Sequence, residues 1–168
     1  MQDFIKHILI SSLFLLIATK GIGQHSASAS FTASVNIIEP ISLKTTSNMN
    51  FASIDAGMGG SVILNPDHTR SINGNVSLAN ATNVSAAEFE VKGQNGYSYN
   101  INVPRGSFSM RNGSDRIIIK DFTASSLSST LNTDSQIISV GATLEIDPGQ
   151  KPGIYTSSSP IEIMVSYN

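Results

Sequence analysis

Few residues in this chain have the type and spacing for catalysis. A Ser-His-Asp relay needs an imidazole that takes a proton from serine while a carboxylate orients it. His25 sits in the polar start of the chain, so such a relay has to use His68, beside Asp67 in a Pro66-Asp67-His68 turn. No serine occupies the Gly-x-Ser-x-Gly context that exposes a nucleophile. Paired carboxylates suited to glycosidase-type acid–base work occur as Glu88/Glu90 and Glu145/Asp147. A spacing of two puts each pair on one face of a strand, most simply the solvated face. Asn112-Gly113-Ser114-Asp115 and Asn132-Thr133-Asp134 hold fragments of a calcium loop, which needs oxygens at alternate positions, but too few further oxygens lie nearby. No Cys/His cluster suits zinc, and no Gly-rich loop precedes a helix to cradle phosphate. Tyr97, Tyr99 and Tyr155 could stack on sugar rings. With 7% aromatic residues and no tryptophan, they read instead as core or cross-strand pairs. The expectation is a non-enzymatic protein with no catalytic, cofactor-binding or metal-binding residues.

The chemistry left is that of the backbone at the two ends of the chain. A strand with unpaired N–H and C=O groups adds to the edge of another sheet, and its alternate side chains fill pockets there. From Ala27 the sequence alternates, with Ala27, Ala29, Phe31, Ala33, Val35 and Ile37 on one face and Ser28, Ser30, Thr32, Ser34 and Asn36 on the other. The last residues alternate too, placing Ile161, Ile163, Val165 and Tyr167 on one face. Phe31, Ala33, Val35 and Ile37 are the candidate donor strand, and the four C-terminal residues the candidate pairing strand. Both segments also read as ordinary first and last strands of a self-contained sandwich.

The elements that position these ends are strands. Lys6 and His7 lead into an apolar run from Ile8 to Ala18, and small residues follow at Gly21 and Gly23. A basic start, an apolar stretch of about 7–15 residues and a small-x-small site make a secretory signal; a membrane span needs roughly 20 apolar residues. Residues 1–23 are expected to be cleaved, with Ala27 or Ala29 as alternative sites, leaving 24–168 as one domain. Period-2 segments then recur: Ala27–Ile37, Ile41–Thr45, Met49–Ile54, Ser61–Asn65, Thr69–Ile72, Asn75–Leu78, Phe89–Lys92, Tyr97–Val103, Ser107–Arg111, Arg116–Phe122, Ile137–Ile146 and Ile161–Tyr167. Asn73-Gly74 suits a hairpin turn, and Gly93-Gln94-Asn95-Gly96 a second. Ser85–Glu88 reads as a single helical turn, and Ser125–Thr133 as a Ser-rich loop. Short strands with turn signals at roughly 8–12-residue spacing predict an all-β, antiparallel sandwich.

Composition narrows the partners. Without residues 1–23 the chain has eight basic and eleven acidic groups, net −3. Nucleic acid, which requires clustered Lys and Arg, is excluded as a partner, and the membrane enters only through export. The absence of cysteine means that a chain sent to a disulfide-permissive compartment holds together by packing and ladders alone. The expected location is the periplasm, the cell surface or the extracellular space.

Three stretches carry a family resemblance. They are Pro40–Leu43 through Asn50–Ile54 to Gly57–Val62; Ser85–Gly93 followed by Tyr97–Ile101; and Pro152–Tyr155 closing with Val165-Ser166-Tyr167-Asn168. In their order and spacing they resemble DUF4402, a family of exported bacterial domains. The resemblance implies an immunoglobulin-like antiparallel β-sandwich after a cleaved signal peptide, with no assigned activity. The chain is also distantly similar to fimbrial and spore-coat pilin-like domains. Chaperone–usher pilus subunits have a similar alternating C-terminal strand with a penultimate aromatic, and an alternating N-terminal extension that completes the next subunit's sandwich. That similarity implies partners engaged by β-augmentation, either the protein itself or a periplasmic chaperone. Unlike many such subunits, this chain has no disulfide, and its donor segment holds three alanines. The expected function is a structural or adhesive cell-surface protein. The alternative is a monomeric exported module whose loops, Ser125–Thr133 or Asn80–Val84, contact a glycan or protein.

Overall fold

The computed structural model describes residues 2–17, 26–79 and 83–168. The expected cleavage point after Gly23, His25, and residues 80–82 of the Asn80–Val84 loop lie outside the described residues. Two compact units divide at Asn36/Ile37. The first contains helix α1 (Gln2–Ile17); among the described residues no helix is long and apolar enough to cross a membrane.

The second unit is built of strands: β1 (Ser42–Ser47), β2 (Ile54–Asp55), β3 (Gly60–Leu64), β4 (Arg70–Gly74), β5 (Ser77–Leu78), β6 (Ala87–Lys92), β7 (Ser98–Asn102), β8 (Phe108–Asn112), β9 (Asp115–Ala124), β10 (Ser128–Thr130), β11 (Ser135–Ile146), β12 (Thr156–Ser157) and β13 (Met164–Tyr167). They form an antiparallel β-sandwich. The larger sheet runs β1-β6-β11-β9-β8-β12, with β3 and β4 continuing it beside the second half of β11. The smaller sheet is β10-β7-β13, and β2 and β5 make a short separate ribbon.

Alternation does the packing. Val62 and Leu64 on β3, Ile117 and Ile119 on β9, and Val140, Ala142, Leu144 and Ile146 on β11 point inward and join Phe51, Val76 and Phe122 in one core cluster. A second cluster couples the sheets: Val91 and Ile138 from the larger meet Tyr99 and Ile101 from the smaller, with Leu131 between them. The Phe108 and Phe122 rings meet edge-to-face at 5.6 Å, the geometry aromatic quadrupoles favour.

Strand β11 organises the larger sheet. Its first half, Ser135 to Val140, pairs with β6; its second half, Ala142 to Ile146, pairs with β3 along the same edge; β9 lines the other edge. Gly141 sits where β6 hands over to β3, and a Cβ there would collide with the Leu64 carbonyl oxygen. The β9 ladder shifts register between Gly141 and Thr143, a bulge-type irregularity, and Asp121 opposite takes a positive φ of 52°.

Several sequence expectations are corrected. Residues 26–41 contain no strand, although Ala27–Ile37 alternates. Phe31, Val35 and Ile37 are 91%, 85% and 88% exposed, so this segment alternates without a buried face. Asn73-Gly74 is not a hairpin turn. Gly74 closes β4 opposite Gly60, and a Cβ on Gly74 would lie 2.8 Å from the Gly60 Cα, so the glycine serves a close backbone approach. The β3–β4 turn is Pro66-Asp67-His68, where the Asp67 carboxylate accepts from the Thr69 N–H at 3.0 Å and its hydroxyl at 2.6 Å. Gly93–Gly96 joins strands of different sheets, because β6 pairs with β1 and β11 while β7 pairs with β10 and β13. Ser85–Glu88 is extended: Ser85 bridges Asn50, and β6 begins at Ala87. Part of the Ser125–Thr133 loop is β10, whose Ser-rich composition conceals a strand that precedes the fully buried Leu131.

Gly141→Ala is expected to cost about 1–3 kcal/mol, the range for forcing atoms into a filled interior. The measurement is a lower urea midpoint with unchanged slope; an unaltered midpoint would show that β3 can give way at Leu64.

Candidate functional site

The side chains first considered for catalysis are held in structural roles. His68 has a positive φ of 68°. Its Nδ1 accepts the Ala86 N–H at 3.1 Å, and its Nε2 lies 3.3 Å from Glu88 Oε1, so it fastens the β3–β4 turn to the start of β6. Hydrogen bonds from the Thr69 hydroxyl, and then from its N–H, hold the neighbouring Asp67 carboxyl below the ordinary aspartate value. Glu90 pairs with Lys92 at 3.5 Å and Glu145 with Lys120 at 2.6 Å; the Glu145 contact raises the Lys120 pKa. Asp115, at the Asn112–Asp115 turn, pairs with Lys151 at 3.1 Å. Among the described residues no three His, Cys, Asp or Glu groups gather as metal ligands.

The tyrosines divide by position. Tyr99 is fully buried and donates to Gln136 Oε1 at 3.1 Å; burial pushes its phenol pKa up. Tyr155 donates to the Lys151 carbonyl at 2.8 Å and accepts from Gln150 at 2.7 Å. Tyr97 meets Tyr167 edge-on at 5.7 Å.

Two features outside side-chain chemistry stand out. One is a cleft of about 1060 Å³ between residues 49–57 and 149–155, floored by Phe51, Met110, Ile117, Leu144 and Ile146. No sequence motif announced it, because its walls are largely irregular backbone rather than patterned side chains.

The other is the outer edge of β13. This strand pairs with β7 from Met164↔Asn102 to Tyr167↔Tyr99 and ends its sheet, so its far side has no neighbouring strand among the described residues. β13 covers only the second half of the expected pairing strand, since Ile161 and Ile163 precede it; Ile161, Ile163, Val165 and Tyr167 are half-buried and alternate with exposed residues. Ile161 and Ile163 pack on the first core cluster, and Val165 and Tyr167 on the second. Ile41, just before β1, and Leu43 within it pack on that second cluster too. The free edges of β1 and β13 thus border one side of the sandwich.

Tyr167 locks this border. Its hydroxyl accepts the Gln94 N–H at 2.6 Å and donates to the Glu39 carbonyl at 2.8 Å, while the Glu39 N–H donates to Gln94 Oε1 at 3.2 Å. Gly93 makes room for the ring, since a Cβ there would strike the Tyr167 hydroxyl. The penultimate aromatic therefore fixes where the chain enters the sandwich. Of the candidate donor residues, Phe31, Ala33 and Val35 belong to the N-terminal unit and Ile37 opens the second; all four are exposed.

Tyr167→Phe is expected to cost about 1–2 kcal/mol, because one hydroxyl serves two backbone groups. Amide exchange at Gln94 should accelerate more than at the β11 core; unchanged exchange there would contradict the lock.

No curated protein and no solved structure matches this chain significantly. A family model described as a domain of unknown function (DUF4402) matches residues 41–167. That interval contains every strand from β1 to β13, and the chain belongs to the DUF4402 family.

Proposed function

We propose that this protein is an exported, non-enzymatic structural subunit of the cell surface that assembles by strand complementation. One observation carries the reading. Ala27–Ile37 alternates apolar and polar residues yet forms no strand, leaving Phe31, Val35 and Ile37 almost fully exposed. Large apolar side chains repeated on one face, without a covering partner, mark an interaction segment rather than a solvated linker. Burying them stabilises a complex by about 1.5–3 kcal/mol each. Ala27, Ala29 and Ala33 add little, so Phe31, Val35 and Ile37 supply most of the apolar affinity. A backbone ladder would supply the register.

Export supports the same reading. The Ile8–Ala18 run behind Lys6 has the form of a secretory signal, and removing it places the alternating segment at the very start of the mature chain. A periplasmic chaperone is a natural transient partner, since it would cover the open strands before assembly.

The cleft of about 1060 Å³ favours a second reading, a monomeric exported module that binds a glycan or peptide. Its apolar floor and scarcity of charged groups suit an apolar peptide better than a sugar.

The chain beginning at Gln24 is expected to form progressively larger species with concentration in sedimentation velocity. The Phe31→Ser/Val35→Ser/Ile37→Ser variant should stay monomeric and keep its β-rich circular dichroism. A wild-type chain that remains monomeric at millimolar concentration would overturn the assembly reading in favour of the binding module. N-terminal sequencing of the envelope protein should begin at Gln24; an intact Met1 would contradict export by cleavage.

A further inference from the structure

The sandwich has several strand edges, and most carry features that oppose the addition of another strand. β12 has two residues and β10 three. β4 contains Arg70, whose guanidinium is turned back onto the Phe51 and Ala79 carbonyls. β1 contains Lys44 and an irregularity between Thr45 and Ser47. Short length, charge and bulges are how natural sheets keep an edge from being extended. β13 is itself four residues long, but the edge from Ile163 to Asn168 holds no charged side chain, no proline and no bulge. Residues 26–38, which would lie against it, are also uncharged.

Direction follows from the Tyr167 lock. Glu39 is held beside Tyr167, at the C-terminal end of β13. A segment folding back from that point onto its own β13 would run parallel to it. A segment from another molecule has no such tether and can run antiparallel, the arrangement with straighter hydrogen bonds and the more stable pairing. Every other ladder in the sandwich is antiparallel.

We propose that the Ala27–Ile37 segment of a second copy adds antiparallel to the free edge of β13. This rests on the strand-exchange reading and names its acceptor, partner and direction. Each molecule then offers one donor and one acceptor, so the contact is head-to-tail and propagates into open chains rather than closing as a two-fold dimer.

The chain has no cysteine, so single-cysteine variants can be mixed and oxidised without background, one partner carrying a mass tag. Ser30→Cys should crosslink to Asn168→Cys, and Ser34→Cys to Met164→Cys, between chains and in preference to the swapped pairs. Preference for the swapped pairs means parallel insertion and overturns the proposal. A crosslink confined within one molecule, when both cysteines are placed in one chain, means self-insertion and also overturns it. Large species by sedimentation with no crosslink at any of these pairs would place the acceptor elsewhere while leaving strand exchange standing. Monomers with no crosslink would remove both.

Discussion

Strand ladders are what this sandwich depends on, because no covalent bridge is available to it. β11 carries the heaviest share. It holds β9 along one edge and divides the other between β6 and β3, so three strands and both core clusters converge on twelve residues. The division demands a backbone with no side chain at the handover. Gly141 meets that demand through close approach to Leu64, not through an unusual φ. With β11 in place, Ile138 reaches the second sheet while Leu144 and Ile146 fill the first cluster.

The same dependence on ladders makes the outer edges consequential. Backbone N–H and C=O groups at an edge are satisfied by water or by another strand, and the protein protects most of its edges by length, charge or irregularity. β13, four residues long, carries neither charge nor irregularity, and it lies beside the point where the chain enters the domain. Tyr167 joins these facts physically: one hydroxyl ties the last strand, the β6–β7 crossover at Gln94 and the chain entry at Glu39. The chain entry at Glu39 is thereby fixed beside Tyr167 on the last strand.

Fold class and inward faces are legible in the sequence, because period-2 alternation reports which side chains face oil. Alternation alone places Tyr99 and Ile101 on one shared face, and likewise Ile161, Ile163, Val165 and Tyr167. Pairing partners are less legible, since alternation is the same for neighbouring and distant strands. Gly93–Gly96 has the composition of a hairpin turn and is a crossover between sheets; Asn73-Gly74 has that of a turn and is a backbone contact. β10 is hidden because serine and threonine on a three-residue strand resemble a loop. Alternation also cannot say whether a strand is covered by its own domain. Ala27–Ile37 has the pattern of a buried strand, and its Phe31, Val35 and Ile37 lie exposed.

Hydrogen–deuterium exchange across a concentration series tests the central claim most directly, because it reads backbone pairing at both chain ends in one experiment. The account predicts that amides of residues 28–37 and of 163–168 become protected together as concentration rises, while β11 stays protected throughout. Exchange of residues 28–37 at the rate of an unstructured peptide at every concentration would contradict it.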